Sequence, residues 1–193
     1  MKILYSYFGQ KELLKRKQVL PVVYVDDCSP EPLGKVKGAT VYRIDTDKKW
    51  NQGGARNLGM SKMNGWVIML DMDYLVTEEN LKQLRKIKKK RGNIYYLGRK
   101  GEEPSWTIYL IHSKDFPYYD EDFCGRYGWE DAEFNWRAKQ TLTPVKCFDI
   151  ELDYNHGHET KGDRDSEFNK KLLEWKLNFP GDGKTLRFKW HKL

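Results

Sequence analysis

Short apolar runs closed by polar turns alternate with segments of helical spacing along most of the chain. Residues 19–25 (VLPVVYV) form a β-branched run that stops at Asp26-Asp-Cys-Ser-Pro30, a cluster of turn formers, which predicts a strand ending there. Residues 40–44 read as a second strand. Residues 53–64 read as a helix, because Ala55, Leu58, Met60 and Met63 approximate its spacing and Gly65 stops it. Residues 66–70 (WVIML) form a buried strand that ends at Asp71-Met-Asp73. Thr77 is placed to cap a helix, with Asn80 where a capping box carries Glu or Gln and with Leu81, Leu84 and Ile87 as its apolar stripe. Strands are predicted over residues 93–97, 106–112 and 145–148. A helix over 129–140 opens with acidic residues that suit its N-terminal dipole, and another falls near 166–177. Ahead of all these, Lys2–Tyr7 fits a first strand and residues 10–18 a clipped helix.

Alternation of strand and helix argues an α/β fold: one domain with a mainly parallel central sheet flanked by helices. In such sheets ligands sit at the carboxyl ends of the strands. The acidic turns at Asp26 and Asp71 both fall there.

Composition narrows the class. The 193 residues are 39% hydrophobic, 33% charged and 14% aromatic, which suits a packed core rather than a disordered chain. The longest apolar run is far short of the roughly 20 residues that a membrane span needs, and the N-terminus lacks a signal-peptide pattern. A cytoplasmic location is expected. Cys28, Cys124 and Cys147 are too few and too scattered for a disulfide scaffold or a thiolate zinc site. The net charge of +7 favours an acidic partner, and residues 82–91 (KQLRKIKKKR) hold much of it. Such a run is most often a solvated helix face. Its other reading is contact with a polyanionic acceptor.

Four elements carry candidate chemistry. Asp71 and Asp73 point the same way in extended geometry at a strand end. Two carboxylates so placed repel each other unless a cation sits between them, and hard oxygen ligands suit Mn²⁺ or Mg²⁺. Alone, D-x-D is common in surface turns. Asn51-Gln-Gly-Gly-Ala-Arg-Asn-Leu-Gly59 puts two glycines at a helix start, where backbone amides can approach an anion and Arg56 and Asn57 can add contacts. Gly-rich turns without any ligand are also frequent. Gly125-Arg-Tyr-Gly-Trp-Glu-Asp-Ala-Glu-Phe134 clusters three acids at a helix start beside Trp129. That is either dipole compensation or a general base next to a sugar-stacking ring. Tyr154-Asn-His-Gly-His158 offers two imidazoles, either of which could complete a metal shell with Asp73.

Together, in this order and spacing, the elements resemble the GT-A-fold glycosyltransferases, close to the family-two enzymes. The back half is similar to the galactosyltransferase C-terminal module of animal beta-galactosyltransferases and bacterial chondroitin-type polymerases. The matching residues are Val25-Asp-Asp-Cys-Ser29, Gly53-Gly-Ala-Arg-Asn57, Asp71-Met-Asp73, Gly128-Trp-Glu-Asp-Ala-Glu-Phe134 and a histidine of His156-Gly-His158. The resemblance implies a GT-A catalytic domain over residues 1–160, with 161–193 as a basic, helical C-terminal extension packed on it. It implies a donor site of Asp26 or Asp27, Gly54, Arg56, Asp71 and Trp129. It implies Mn²⁺ (or Mg²⁺) held by Asp73 and by His156 or His158, Asp131 as general base, and Glu130 holding the acceptor. The reaction implied is inverting transfer of a sugar from a nucleotide-diphosphate donor, UDP first among them, to a hydroxyl.

The opening before the second strand is short for this family, which leaves little loop to cover the base. With no membrane helix and no second domain, processive polymer synthesis is not expected. A small basic chain suits a phage or virus enzyme, and the acceptor is then either a glycan or hydroxymethylated DNA. Two other classes compete. A metal-dependent nuclease also needs clustered carboxylates, but not the Gly-Gly-Ala-Arg-Asn turn. A non-catalytic nucleic-acid-binding protein explains the charge, but not acids at two strand ends.

Overall fold

The structure, a computed structural model, describes residues 1–99, 102–155, 165–179 and 185–193. Within these, nine strands form one sheet: β1 (Lys2–Tyr7), β2 (Val22–Asp27), β3 (Ala39–Ile44), β4 (Trp66–Leu70), β5 (Tyr74–Leu75), β6 (Asn93–Arg99), β7 (Ser105–His112), β8 (Thr143–Tyr154) and β9 (Trp190–Lys192). Their order across the sheet is β5-β8-β6-β7-β4-β1-β2-β3-β9. Four α-helices accompany them: α1 (Gln52–Ser61), α2 (Glu78–Lys86), α3 (Glu130–Thr141) and α4 (Glu167–Asn178).

The α/β class is as the sequence predicts, and the sheet is mixed. Parallel pairing runs through the block β3-β2-β1-β4 and joins β6 to β8. Antiparallel pairing joins β7 to β4 and to β6, β5 to β8, and β9 to β3. Side chains alternate across the sheet, and the two halves of each strand's sequence fill two cores. Ile3, Tyr5 and Tyr7 of β1 enter one with Ile68 and Leu70 of β4. Leu4, Val67 and Met69 enter the other. The first core lies under Leu84 of α2 and the second under Ala55 and Leu58 of α1 and Phe134 and Ala138 of α3.

Helix α1 sits close to the sheet because of its glycines. A Cβ on Gly59 would stand 2.2 Å from Leu4 Cδ1, and one on Gly54 would stand 2.8 Å from the Phe188 ring. The clipped helix at 10–18 is a single 3₁₀ turn, Lys11–Lys15, since Pro21 and the start of β2 follow at once. The capping box on α2 forms as read: Thr77 accepts from Asn80 N, and the Asn80 side chain accepts from Thr77 N. Strand β8 runs well beyond the predicted residues 145–148. The alternation of Ile150, Leu152 and Tyr154 with Asp149, Glu151 and Asp153 is the signal for the added length. No helix among the described residues is long and apolar enough to cross a membrane.

Candidate active site

Register places the acids. Tyr7 of β1 pairs with Asp26 of β2, and Tyr5 of β1 pairs with Leu70 of β4, so Asp26, Asp27, Asp71 and Asp73 share one sheet edge, at the carboxyl ends of three parallel strands. Helix α1 starts at that edge behind Asn51.

Arg56 organises the centre. Its side chain is fully buried, and its Nη2 donates to Asp71 Oδ1 at 2.6 Å while Nη1 donates to Asp131 Oδ1 at 2.5 Å and to the Tyr119 hydroxyl at 2.7 Å. One guanidinium therefore joins the end of β4 to the first turn of α3. The Tyr119 hydroxyl donates to Asp131 Oδ1 at 2.8 Å, which uses its single proton. The Tyr109 hydroxyl, 3.1 Å away, must then donate to Tyr119. All these bonds to Asp131 fall on Oδ1, and its side chain keeps 20% of its surface exposed. Asp71 Oδ1 also accepts from Gln52 Nε2 at 2.6 Å. Burial pushes the Asp71 carboxyl up to about 6, against the opposing pull of Arg56 and with help from Asp131 and Asp73.

The two acids after β2 differ. Asp26 is fully buried and spent: Oδ1 accepts from Ser29 N, and Oδ2 accepts from Leu33 N and from Arg43 Nη1. It holds the loop that leaves β2. Asp27 accepts a bond of 2.8 Å from Asn51 Nδ2, and burial pushes its carboxyl up to about 7. Gly54 is buried between Asn51 and Phe188.

Trp129 stands in the left-handed region, φ 69°, directly after Gly128 at φ 87°. This pair of positive φ values turns the chain into α3 and leaves the Trp129 ring 38% exposed. The next residue, Glu130, is buried. Its Oε1 accepts from Trp50 Nε1 at 2.8 Å and its Oε2 has no partner among the described residues. Burial and then the charge of Asp131 push its carboxyl up. Trp50 meets Tyr127 edge-on, ring centres 4.8 Å apart. Sequence reasoning singled out Trp129 but not Trp50, Tyr109 or Tyr119. The aromatic density of residues 115–133 is the signal that covers Tyr119, and nothing local marks the other two.

The turn carrying Asp73 is clamped by Arg16, which donates to the Met72, Asp73 and Tyr74 carbonyls. Asn155 N donates to the Asp73 carbonyl at 3.0 Å, so the chain leaves β8 beside Asp73. His156 and His158 follow in sequence and lie outside the described residues. Among the described residues no group of three His, Cys, Asp or Glu side chains could hold a metal alone. Asp71 and Asp73, two carboxylates at a strand end, offer the hard oxygen atoms that hard divalent cations prefer. The donor set fits Mn²⁺ or Mg²⁺ on that ground.

Comparison with known proteins agrees with the fold. Solved structures with the same fold include Staphylococcus aureus TarS, residues 1–349, at TM-score 0.67 and 16% identity, covering 94% of this chain and 66% of that one. A Drosophila β-1,4-galactosyltransferase 7 mutant, in complex with manganese, UDP-Gal and xylobiose, matches at TM-score 0.56 and 15% identity, covering 96% and 81%. The mannosyltransferase PcManGT of Pyrobaculum calidifontis, in complex with GDP-Man and Mn²⁺, matches at TM-score 0.63 and 11% identity, covering 95% and 65%. The chain thus spans just under two thirds of the TarS and PcManGT structures. No curated protein matches the chain. The sequence model described as "Glycosyl transferase family 2" matches residues 11–150, most of the chain and all four acids of the strand ends. The chain belongs to glycosyl transferase family 2 and has the GT-A fold.

Proposed function

We propose that the chain transfers a sugar, with inversion, from a nucleotide-diphosphate sugar to a glycan hydroxyl, using a divalent metal. The observation that carries the reading is the Arg56 bridge, which sets the D-x-D strand end and the acid at the start of α3 into one rigid group. A donor diphosphate held at this strand end would be linked to Asp131 through the Arg56 bridge.

Asp131 is the base. Oδ1 is fixed by Arg56 and Tyr119, and Oδ2 is left to accept the acceptor's proton. The acceptor oxygen forms a bond to the anomeric carbon as its proton passes to Asp131. The bond from that carbon to the diphosphate oxygen breaks, and its electron pair leaves with the diphosphate. A single base on the face opposite the leaving group gives inversion. Asp73, with His156 or His158, would hold Mn²⁺, whose positive charge offsets that of the leaving diphosphate. Arg56 offsets the charge of both carboxylates, and in this reading serves the donor through Asp71. Asp27 meets the nucleotide, because Asp26 is fully buried and engaged with Ser29, Leu33 and Arg43. Trp129 offers its exposed ring to a sugar face. Uridine is the first choice of nucleotide, since TarS is also solved with UDP-GlcNAc and the Drosophila enzyme with UDP-Gal.

The acceptor reading rests on where the basic run lies. Asn93 opens β6 at the same edge as Trp66 of β4, opposite Asp71, and residues 86–91 lead directly into it. Arg91 is paired with Asp115, and Lys89 caps the Leu84 and Ile87 carbonyls. A duplex laid on that edge would lie away from Asp131, so a glycan is favoured over hydroxymethylated DNA. The test is a screen of UDP- and GDP-sugars with Mn²⁺ against glycan fragments and hydroxymethylated DNA. Transfer to a glycan supports the reading, and transfer to DNA alone overturns the acceptor class.

A further inference from the structure

The C-terminal helix lies beyond residues 11–150, the part that the family matches, yet it holds the loop that aims the base. Helix α4 buries two polar residues, Asn169 and Lys176, while Phe168 and Trp175 beside them are half exposed. That inversion of the usual pattern needs a cause, and the cause is the loop of residues 120–129. Asn169, 1% exposed, directs its amide Nδ2 at three backbone carbonyls: Phe123 at 3.1 Å, Arg126 at 2.9 Å and Gly128 at 2.8 Å. Three acceptors converging on one nitrogen fix the amide's orientation, because its oxygen in their place would face three oxygens. Seven residues on, Lys176 pairs with Asp120 at 2.6 Å and Asp122 at 2.8 Å. At the helix start, a Cβ on Gly128 would stand 3.0 Å from Ser166 Cβ, so helix and loop are in contact there as well.

The last carbonyl that Asn169 holds belongs to Gly128. Trp129 follows in the left-handed region, a conformation that costs a non-glycine residue free energy and persists only where neighbours impose it. Glu130 and Asp131 come next. We propose that Asn169 is a positioning residue for catalysis: its two amide hydrogens, shared among the Phe123, Arg126 and Gly128 carbonyls, fix the turn that sets Trp129 and Asp131 against donor and acceptor. The proposal rests on the glycosyl-transfer reading for its catalytic consequence, while its structural half stands on the loop alone.

The experiment compares wild type, Asn169→Asp, which keeps the shape and removes the donor, and Leu84→Ala, which destabilises the buried core under α2. Two readouts are taken well below each melting temperature. Hydrogen exchange of the peptide covering residues 124–131 reports the loop. Donor hydrolysis with UDP-glucose, UDP-galactose and UDP-N-acetylglucosamine in Mn²⁺ reports kcat and KM. Asn169→Asp is expected to speed exchange of that peptide about fivefold or more. It is expected to lower kcat about tenfold or more and to raise donor KM by a smaller factor, since Trp129 moves with the turn and misplacing a catalytic group by an ångström costs up to about a hundredfold. Leu84→Ala is expected to keep both at wild-type values. If Asn169→Asp does not fold, Asn169→Ser, which leaves room for water, is read the same way. Wild-type exchange and kcat in the Asn169 variants overturn the proposal, as does an equal loss of kcat in Leu84→Ala. A wild type that turns over no donor overturns the glycosyl-transfer reading, and the exchange data then decide the hold of Asn169 on the loop separately.

Discussion

A buried guanidinium costs several kcal/mol unless its charge is met, and at Arg56 two carboxylates from different elements meet it. Arg56→Ala leaves Asp71 and Asp131 facing each other without a counter-charge. Removing one side of a buried pair costs about 3–5 kcal/mol, and the partial exposure of both acids brings the expected loss below that range. Arg56→Lys keeps the charge but cannot bond two acids in a fork. It is expected to retain the fold and to lower kcat, which a paired melting and steady-state measurement checks. Asp27 supplies a pH test. Its carboxyl, near 7 in the fold against an ordinary 3.8, keeps its proton longer folded than unfolded. Stability from this group is therefore fully present below about pH 4, falls as pH rises towards 7, and is level above. Asp27→Asn removes that dependence: the variant's melting temperature should gain on wild type between pH 4 and 7 and weaken nucleotide binding throughout. A gap that does not change with pH contradicts the assignment.

Elements differ in how far the sequence exposes them. The strand ends at Asp27 and Leu70 were legible because apolar runs meet turn formers there, and the start of α2 because Thr77 and Asn80 form a recognisable cap. Thr77→Ala should cost about 1 kcal/mol with kcat unchanged, as read from urea midpoints and turnover. The glycines of α1 were legible as a helix start but not in their packing. Gly59 faces Leu4 and Gly54 faces Phe188, partners 55 and 134 residues away by subtraction of the residue numbers, and no local pattern connects them. Gly59→Ala should destabilise by about 1–3 kcal/mol through overpacking, checked by the same midpoints. Strand β9 was not legible, because three residues (WHK) after a polar stretch carry no period. It forms because the edge of β3 offers unpaired backbone groups. The acids of the site were visible as motifs, whereas the Arg56 bridge was not, since it depends on α1 and α3 meeting across β4.

At the scale of the molecule, the run of residues 86–91 is the densest stretch of the +7 charge. It leads into the sheet edge opposite Asp71, so turnover on a neutral glycan should respond little to salt. Exchanging the exposed Lys86, Lys88 and Lys90 for Gln should leave kcat/KM within about twofold, because the phosphate contacts that generate salt dependence are not made there. A large loss with a flattened salt slope contradicts the glycan assignment. In the proposed mechanism one metal-dependent centre, joined by Arg56, uses Asp131 as its base. The most direct measurement is nucleotide release from a UDP-sugar with Mn²⁺ by wild type and Asp131→Asn, with UDP–Mn²⁺ affinity measured on both. Affinity should be retained and the rate should fall about 10²–10⁴-fold in the variant, with chelator silencing wild type while the fold survives. Near-normal release by Asp131→Asn, or full activity of wild type in chelator, contradicts it.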